Sequence, residues 1–332
     1  MAIVLPYLLP FLIGLAILED SGYLPRIAYI LDNFMHRIGL HGKSFIPMLI
    51  GFGCSVPAIM ATRILENRRN RLTTILVIPL MSCGARLTIY SLLIPAFFSP
   101  HWRGPVMWSI YLIGIVLAVG AAKLLRLTIF QGETMPFVME LPPYRVPTPR
   151  SVLIHTWRRG WMFLKKAGTV ILGISVVLWV LANFPKPSAD ELTGLNAVQA
   201  HKVALEHSVV GRLGHLIEPA IRPLGFDWRI GTALIGSLAA KEVFVSQLSI
   251  VYAVDSPHHA EVLREELQAS YTPLVGFCTM LFCLISAPCV ATLAITRQET
   301  GSWGWVAFQF LGLTALAYGV TFAVFQVGRM WM

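Results

Sequence analysis

The chain has 332 residues, 56% of them hydrophobic and only 13% charged, with a formal net charge of +9. A soluble domain carries about 25% charged residues. An apolar excess of this size cannot be hidden in one globular core, so the bilayer is its natural solvent and a soluble enzyme is disfavoured. The basic residues fall between apolar runs, as in Arg63, Arg68, Arg69 and Arg71, or Arg158, Arg159, Lys165 and Lys166. That placement marks cytoplasmic loops facing anionic membrane lipids and argues against nucleic acid as a partner.

Eight apolar segments follow in order, at 3–18, 44–62, 72–98, 104–125, 167–184, 230–254, 272–296 and 302–328. They predict an all-α, polytopic membrane protein with about eight transmembrane or re-entrant helices. The first segment is short and ends at Glu19-Asp20; no basic residue precedes it, so a cleavable signal is not expected. Loops 63–71 and 126–166 are both basic and are separated by two spans, which puts both in the cytoplasm and 185–227 outside. Segment 134–149 is rich in proline and reads as an extended linker, and 151–166 as an amphipathic stretch along the membrane surface. The expected division is 1–130, a linker at 131–166, and 167–332. Weak internal similarity supports two halves: His36–Gly51 resembles Arg222–Gly236, and Pro79–Cys83 echoes Ile285–Cys289.

Within these runs four motifs stand out. In Gly51-Phe52-Gly53-Cys54-Ser55-Val56-Pro57, Pro57 lacks an amide donor and clashes with the carbonyl of Gly53. The freed carbonyl must then find protein, water or a cation, and the Cys54 thiol lies beside it; a packing kink with an inert cysteine is the blander alternative. In Met81-Ser82-Cys83-Gly84-Ala85-Arg86, the spacing would put Cys83 and Arg86 on one helix face, with Arg86 either facing a wet cavity or snorkelling. In Ala240-Lys241-Glu242, adjacent charges point about 100° apart on a helix, so at least one faces the bundle interior; a neutralised pair is the alternative. In Ser286-Ala287-Pro288-Cys289 a cysteine again follows a helix-breaking proline, with Thr292 one turn on.

All five cysteines lie in apolar runs and none forms a CxxC pair, against a disulfide framework or zinc finger. Cys278 and Cys283 read as small buried hydrophobes. Gly42-Lys43-Ser44 resembles the end of a phosphate-binding loop, but Arg37 stands where that motif needs glycine. The histidine pair His258-His259 reads as a solvated loop feature. Thiols beside broken backbone, with one membrane glutamate, suit a borderline divalent metal better than Na⁺ or a sugar, without separating Fe²⁺ from Cu⁺, Zn²⁺ or Mn²⁺.

Taken in order, Glu19–Tyr23, Gly39–Ser44, Gly51–Ala58, Ala61–Arg63, Met81–Cys83 with Ala85-Arg86, Ala240–Glu242 and Pro288-Cys289 resemble the transmembrane portion of the bacterial ferrous iron transport protein B (FeoB) family. The resemblance covers nearly the whole chain. It implies an Fe²⁺ permease of the prokaryotic inner membrane built on two gate repeats, with Fe²⁺ as transported substrate and no tightly bound cofactor. It also implies that Cys54, Cys83 and Cys289 line the iron path. Glu242 joins them as a fourth candidate ligand by inference from its place in the second repeat. Ser55, Pro57, Ser82, Arg86, Lys241, Pro288 and Thr292 are the supporting residues. Members of the family carry an N-terminal GTP-binding domain, for which these residues leave no room. GTP is therefore expected to act only through a separate domain, in trans or in a longer chain, and no enzymatic activity is expected here. The family's small soluble accessory proteins are candidate partners, and a homo-oligomer is compatible with the sequence. Two alternatives stay open. A carrier of an organic solute such as a nucleoside predicts Asn, Gln and Glu at the breaks, and a non-transporting scaffold predicts harmless Cys→Ser changes.

Overall fold

Backbone in hydrocarbon has no water to bond to, so lipid-facing segments of a chain like this one close their hydrogen bonds internally as helices. The computed structural model describes residues 4–131, 143–154, 156–158, 160–161, 172–173, 176–177, 180–181, 184, 208–252 and 259–331, and the regular elements among them are helical. In chain order they are α1 (Val4–Asp20), α2 (Tyr23–Arg37), α3 (Phe45–Gly51), α4 (Ser55–Ala61), α5 (Arg68–Val77), α6 (Gly84–Phe97), α7 (Pro100–Thr128), α8 (Val209–Ile221), α9 (Trp228–Ala239), α10 (Val243–Val251), α11 (His259–Ser270), α12 (Pro273–Ile285), α13 (Val290–Thr300) and α14 (Trp303–Trp331). Most of the Pro-rich linker, the end of the amphipathic stretch with Lys165 and Lys166, His258 and much of the segment at 167–184 lie outside the described residues. The described part of the amphipathic stretch exposes Leu153, Ile154, Trp157 and Trp161, with the two indoles stacked at 6.2 Å.

The chain folds as two units. The first comprises Met1–Gly84, Tyr111–Thr169 and Ala291–Gln309; the second comprises Ala85–Ile110, Val170–Val290 and Phe310–Met332. Among the described residues, four stretches are long and apolar enough to cross a membrane: Arg68–Phe97, Pro100–Thr128, Pro273–Thr300 and Trp303–Met330. They divide cleanly. The first and third are each 72% buried over their most apolar part, whereas the second and fourth are only 22% and 17% buried. The buried pair are the interrupted ones, α5–α6 and α12–α13; the exposed pair, α7 and α14, run unbroken for 29 residues each. Irregular backbone is tolerated at membrane depth only where protein or water surrounds it. The apolar runs at 44–62 and 230–254 are likewise not single spans but pairs of short helices, α3–α4 and α9–α10.

The two halves suspected from sequence share a local plan. After α2 the chain turns at Gly39 (φ 80°), passes a short 3-10 turn at Gly42–Ser44, and enters α3. After α8 it passes a 3-10 turn at Arg222–Leu224, turns at Gly225 (φ 81°), and enters α9, whose first turn is capped by Asp227. The left-handed backbone explains glycine at both turns. In the first turn, the Gly42 amide donates to Asp32 Oδ1 at 2.7 Å and the Lys43 amide to His41 Nδ1 at 3.1 Å. The amides that a phosphate-binding loop would present are thus used internally.

Prolines inside the spans leave carbonyls four residues earlier without a helical donor, and distant side chains fill the gap. Pro79 frees the carbonyl of Ile75, which accepts from Gln309 Nε2 of α14 at 3.0 Å. The other end of that amide, Oε1, accepts from Thr296 Oγ1 of α13 at 2.9 Å. In the second unit, Pro95 frees the carbonyl of Ser91, and Arg264 of α11 donates to it at 3.1 Å.

This packing has two measurable consequences. Replacing Gln309 with Met keeps the volume but leaves the Ile75 carbonyl without its donor, an unsatisfied buried group that costs about 1–3 kcal/mol; a lower Tm in detergent is expected, and an unchanged Tm contradicts the assignment. Partial burial holds the His41 imidazole below its ordinary value, opposed by Asp32 and reinforced by Lys43 and His36, with Glu66 a weaker opposing charge. Because the folded value is the depressed one, the contribution of neutral His41 is complete above about pH 6.5. It is lost as pH falls through the folded value. His41→Asn, whose side-chain oxygen can accept the same amide without titrating, is expected to flatten the acid side of a stability–pH profile.

Candidate functional site

The first break lies in the first unit. Here α3 stops at Gly51, and the amides of Gly53 and Cys54 both reach back to the Ile50 carbonyl, at 3.0 and 3.1 Å. Cys54 is fully extended (φ −156°, ψ 132°) and α4 starts at the next residue. Pro57 therefore sits in the first turn of α4, where its amide would have had no intrahelical partner. Its consequence falls on the Gly53 carbonyl, as expected, but that carbonyl is not left for an ion: the Gly84 amide donates to it at 3.0 Å.

The second break supplies that amide. Past α5 and a 3-10 turn at Ile78–Leu80, Met81 is extended, residues 82–83 are irregular, and α6 starts at Gly84. Cys83 thus stands immediately before α6, as Cys54 stands immediately before α4. The Gly53–Gly84 bond joins the residues flanking the two thiols, so these cysteines are brought together. Because Cys83 precedes the helix, its spacing to Arg86 does not set both on one helix face, contrary to the sequence expectation. Arg86 is only 2% exposed, in the first turn of α6, and does not snorkel. Ser55 and Ser82 are buried.

The second unit repeats the arrangement. After α9, Ala240 is extended (φ −151°, ψ 137°), Lys241 and Glu242 form a turn, and α10 starts at Val243. After α12, residues Ser286 to Cys289, including buried Pro288, are irregular and α13 starts at Val290. Lys241 is 3% exposed, and its ammonium donates to Ser286 Oγ at 3.0 Å. One hydrogen bond therefore ties the two breaks of this unit together, as in the first. Of the adjacent charges, Lys241 is the buried one and Glu242 is half-buried. Arg86 and Lys241 both lie within electrostatic range of Cys283. Thr292 is buried in the first turn of α13.

Cys54, Cys83, Glu242 and Cys289 consequently occupy one structural position, four times over: the last residue of a helix break, directly ahead of the continuing half-helix. The three thiols are half-buried, whereas Cys278 and Cys283 are fully buried within α12, as expected of small hydrophobes. Each break sets the carbonyl end of one half-helix against the amide end of the next, and the carbonyl end is the one that favours a cation. Among the described residues of either unit, no three His, Cys, Asp or Glu side chains lie together as a ready-made metal cluster.

Sequence reasoning missed Glu299. Its side chain is 2% exposed near the end of α13 and is gripped by two arginines. Arg63 Nη2 donates to Oε1 at 2.6 Å and Arg63 Nε to Oε2 at 3.0 Å, while Arg71 Nη2 donates to Oε2 at 2.6 Å. Two of the four arginines in loop 63–71 are thus tied to Glu299, and a third, Arg69, donates to the Gln131 carbonyl at 2.6 Å. Hydrogen bonding to Glu299 holds the Arg63 guanidinium above its ordinary value. Gln309 was missed as well; an amide in a charge-free run, with Pro79 demanding a donor elsewhere, was the available signal.

Comparison with known proteins adds a second line. The gate family model, described as nucleoside recognition, matches residues 1–97 and 164–303, and a model described as ferrous iron transport protein B C terminus matches residues 107–159. The chain is 41% identical over 360 residues to a Fe(2+) transport protein A/Fe(2+) transporter FeoB fusion protein of Porphyromonas gingivalis, covering 98% of this chain and 42% of that protein. It is 41% identical over 328 residues to a Fe(2+) transporter FeoB of Campylobacter jejuni, covering 98% and 53%. It is 39% identical over 328 residues to a Fe(2+) transporter FeoB of Staphylococcus aureus, covering 98% and 47%. The chain therefore spans about half the length of these relatives. No solved structure matches.

The Gly53–Gly84 bond can be tested on its own. Gly84 is the first residue of α6, where proline is tolerated, so Gly84→Pro removes the donor without breaking the helix. A loss of about 1–3 kcal/mol in stability is expected, together with faster maleimide labelling of Cys54. Gly84→Ala, whose added carbon would sit an ordinary 3.4 Å from the Gly53 carbonyl, is expected to behave as wild type. Equal behaviour of the two variants contradicts the role given to the amide.

Proposed function

The chain belongs to the gate family, as the membrane portion of FeoB-type transporters, and from that premise we propose that it is the permease through which Fe²⁺ crosses the prokaryotic inner membrane. The observation that carries this reading is the placement of Cys54, Cys83, Glu242 and Cys289 at four equivalent helix breaks, three of them with a half-buried sulfur. Fe²⁺ is a borderline cation, for which thiol and carboxylate ligands together are suitable. It exchanges part of its hydration shell for sulfur at Cys54 and Cys83 in one unit, and for Glu242 and Cys289 in the other. Sites with so few ligands hold an ion weakly, which lets it leave again. Ser55 and Ser82 line the breaks, Pro57 and Pro288 enforce them, Lys241 ties the second unit's breaks together through Ser286, and Arg86 and Thr292 are buried supports.

GTP hydrolysis, where it accompanies transport, belongs to a domain outside these residues. The fusion of Fe(2+) transport protein A to one relative supports a small soluble accessory protein as a further partner. The description of the gate family as nucleoside recognition favours an organic solute as the second reading. Glu242 is the only Asn, Gln or Glu at the four breaks, which weighs against it.

The test is uptake of radiolabelled Fe²⁺ in cells lacking their own ferrous uptake, with the GTP-binding domain present in cis or in trans. Cys54→Ser, Cys83→Ser and Cys289→Ser are each expected to lower uptake by at least roughly tenfold, since even residues that only support a metal ligand contribute about 10- to 100-fold. Wild-type iron uptake in all three variants, or uptake of labelled nucleoside in place of iron, overturns the reading.

A further inference from the structure

The grip on Glu299 joins elements that otherwise look independent. Arg63 lies in the 3-10 turn Thr62–Ile64 that directly continues α4, and the other end of that seven-residue helix is Cys54. Arg71 lies in the first turn of α5, whose far end runs into the break containing Cys83. Glu299 lies in the last turn of α13, which begins at the residue after Cys289. All three elements that carry the thiol-bearing breaks thus meet, at their ends away from the sulfur, on one carboxylate. The meeting is asymmetric in solvent: the Glu299 side chain is 2% exposed, Arg71 29% and Arg63 56%. Arg71 Nη2 also lies 3.4 Å from the backbone carbonyl of Glu299. The buried member is the carboxylate, so the contact cannot exchange for water at that end without α13 moving.

A second contact fixes the same helix. Thr296, one turn before Thr300, donates to Gln309, which in turn holds the Ile75 carbonyl of α5. Between them the two networks fix the last turns of α13 to both ends of α5, and Arg63 adds the end of α4. The half-helices α4 and α13, of seven and eleven residues, are pinned at the end away from the sulfur and can move the other end only by pivoting as rods, while α5, held near both ends, carries the constraint toward Cys83.

We infer that Glu299 is a positioning residue for the transport path: a common anchor that fixes α4, α5 and α13, and through them the exposure of Cys54, Cys83 and Cys289. The significance of those three sulfurs for iron rests on the function proposed above, but the anchor itself is measured without iron. Releasing the anchor changes how the three thiols meet solvent while leaving the fold intact.

The experiment is maleimide labelling of the full chain in proteoliposomes, with the modified cysteines identified by mass spectrometry, for wild type, Glu299→Gln, Glu299→Asp, Arg71→Gln and Arg63→Gln. Cys278 and Cys283, fully buried within α12, report on unfolding in the same sample. Expected are labelling rates at Cys54, Cys83 and Cys289 that change by fivefold or more in Glu299→Gln and Arg71→Gln. Cys278 and Cys283 should stay protected, and Glu299→Asp, which keeps the charge, should return rates toward wild type. Rates within twofold of wild type at all three thiols, with the two internal cysteines protected, overturn the inference. If Glu299→Gln exposes Cys278 and Cys283, Arg63→Gln decides, because only the outer arm is lost there; unchanged rates in that variant again overturn the inference. Loss of the anchor effect with iron uptake still sensitive to the three Cys→Ser changes refutes the anchor alone. An intact anchor effect with insensitive uptake refutes the iron reading alone.

Discussion

A carbonyl without a donor, surrounded by hydrocarbon, is the constraint from which the rest of this structure follows. Each proline placed inside a span creates one, four residues upstream, and each must be matched from elsewhere in the protein. Gly53 is matched by the Gly84 amide, Ile75 by the Gln309 side chain, and Ser91 by Arg264. The donors come from distant parts of the chain, so these three prolines, which loosen a helix locally, also tie two elements together globally. For the same reason the interrupted spans α5–α6 and α12–α13 are the buried ones, while the uninterrupted α7 and α14 keep most of their apolar surface for lipid.

The same matching makes a break rigid without using up the side chain that the proposed iron path requires. If the carbonyls freed by proline were themselves the ligands, the apo protein would hold bare acceptors in a dry interior. Instead the Gly53 carbonyl is occupied by protein, and the last residue of each break, directly ahead of the continuing half-helix, carries the candidate side chain; Cys54 is extended there, whereas Glu242 already has helical φ and ψ. At three of the four breaks that side chain is a thiol and at the fourth a carboxylate. A hydrogen bond cross-ties the breaks within each unit, backbone to backbone in one unit and Lys241 to Ser286 in the other. The shared plan of the two repeats thus extends to how their breaks are held, with different chemistry in each.

Much of this was legible in the sequence, because composition and proline placement are local signals. The all-helical membrane fold, the four motifs, and the burial of Cys278 and Cys283 follow from apolar runs punctuated by Gly, Pro and charge. Register was harder to read. The Cys83–Arg86 spacing suggested a shared helix face, but a helix that starts at Gly84 leaves Cys83 outside it. The runs at 44–62 and 230–254 looked long enough to span, yet Cys54 and Lys241-Glu242 each sit where a helix stops and another begins. What sequence could not supply was the identity of distant partners. Nothing local to Glu299 announces that Arg63 and Arg71, more than 200 residues earlier, converge on it. Gln309 is an unremarked amide until the Ile75 carbonyl is known to need one.

The most direct test of iron coordination at the breaks is metal protection of their thiols. Under anaerobic conditions, maleimide modification of Cys54, Cys83 and Cys289 in the membrane-embedded protein is followed by mass spectrometry with increasing Fe²⁺, using Mg²⁺ as the comparison ion. If the breaks are stops for Fe²⁺, that ion slows modification of all three thiols and Mg²⁺, which prefers oxygen ligands, does not. Rates indifferent to Fe²⁺, or slowed equally by both ions, would contradict a sulfur-lined iron path.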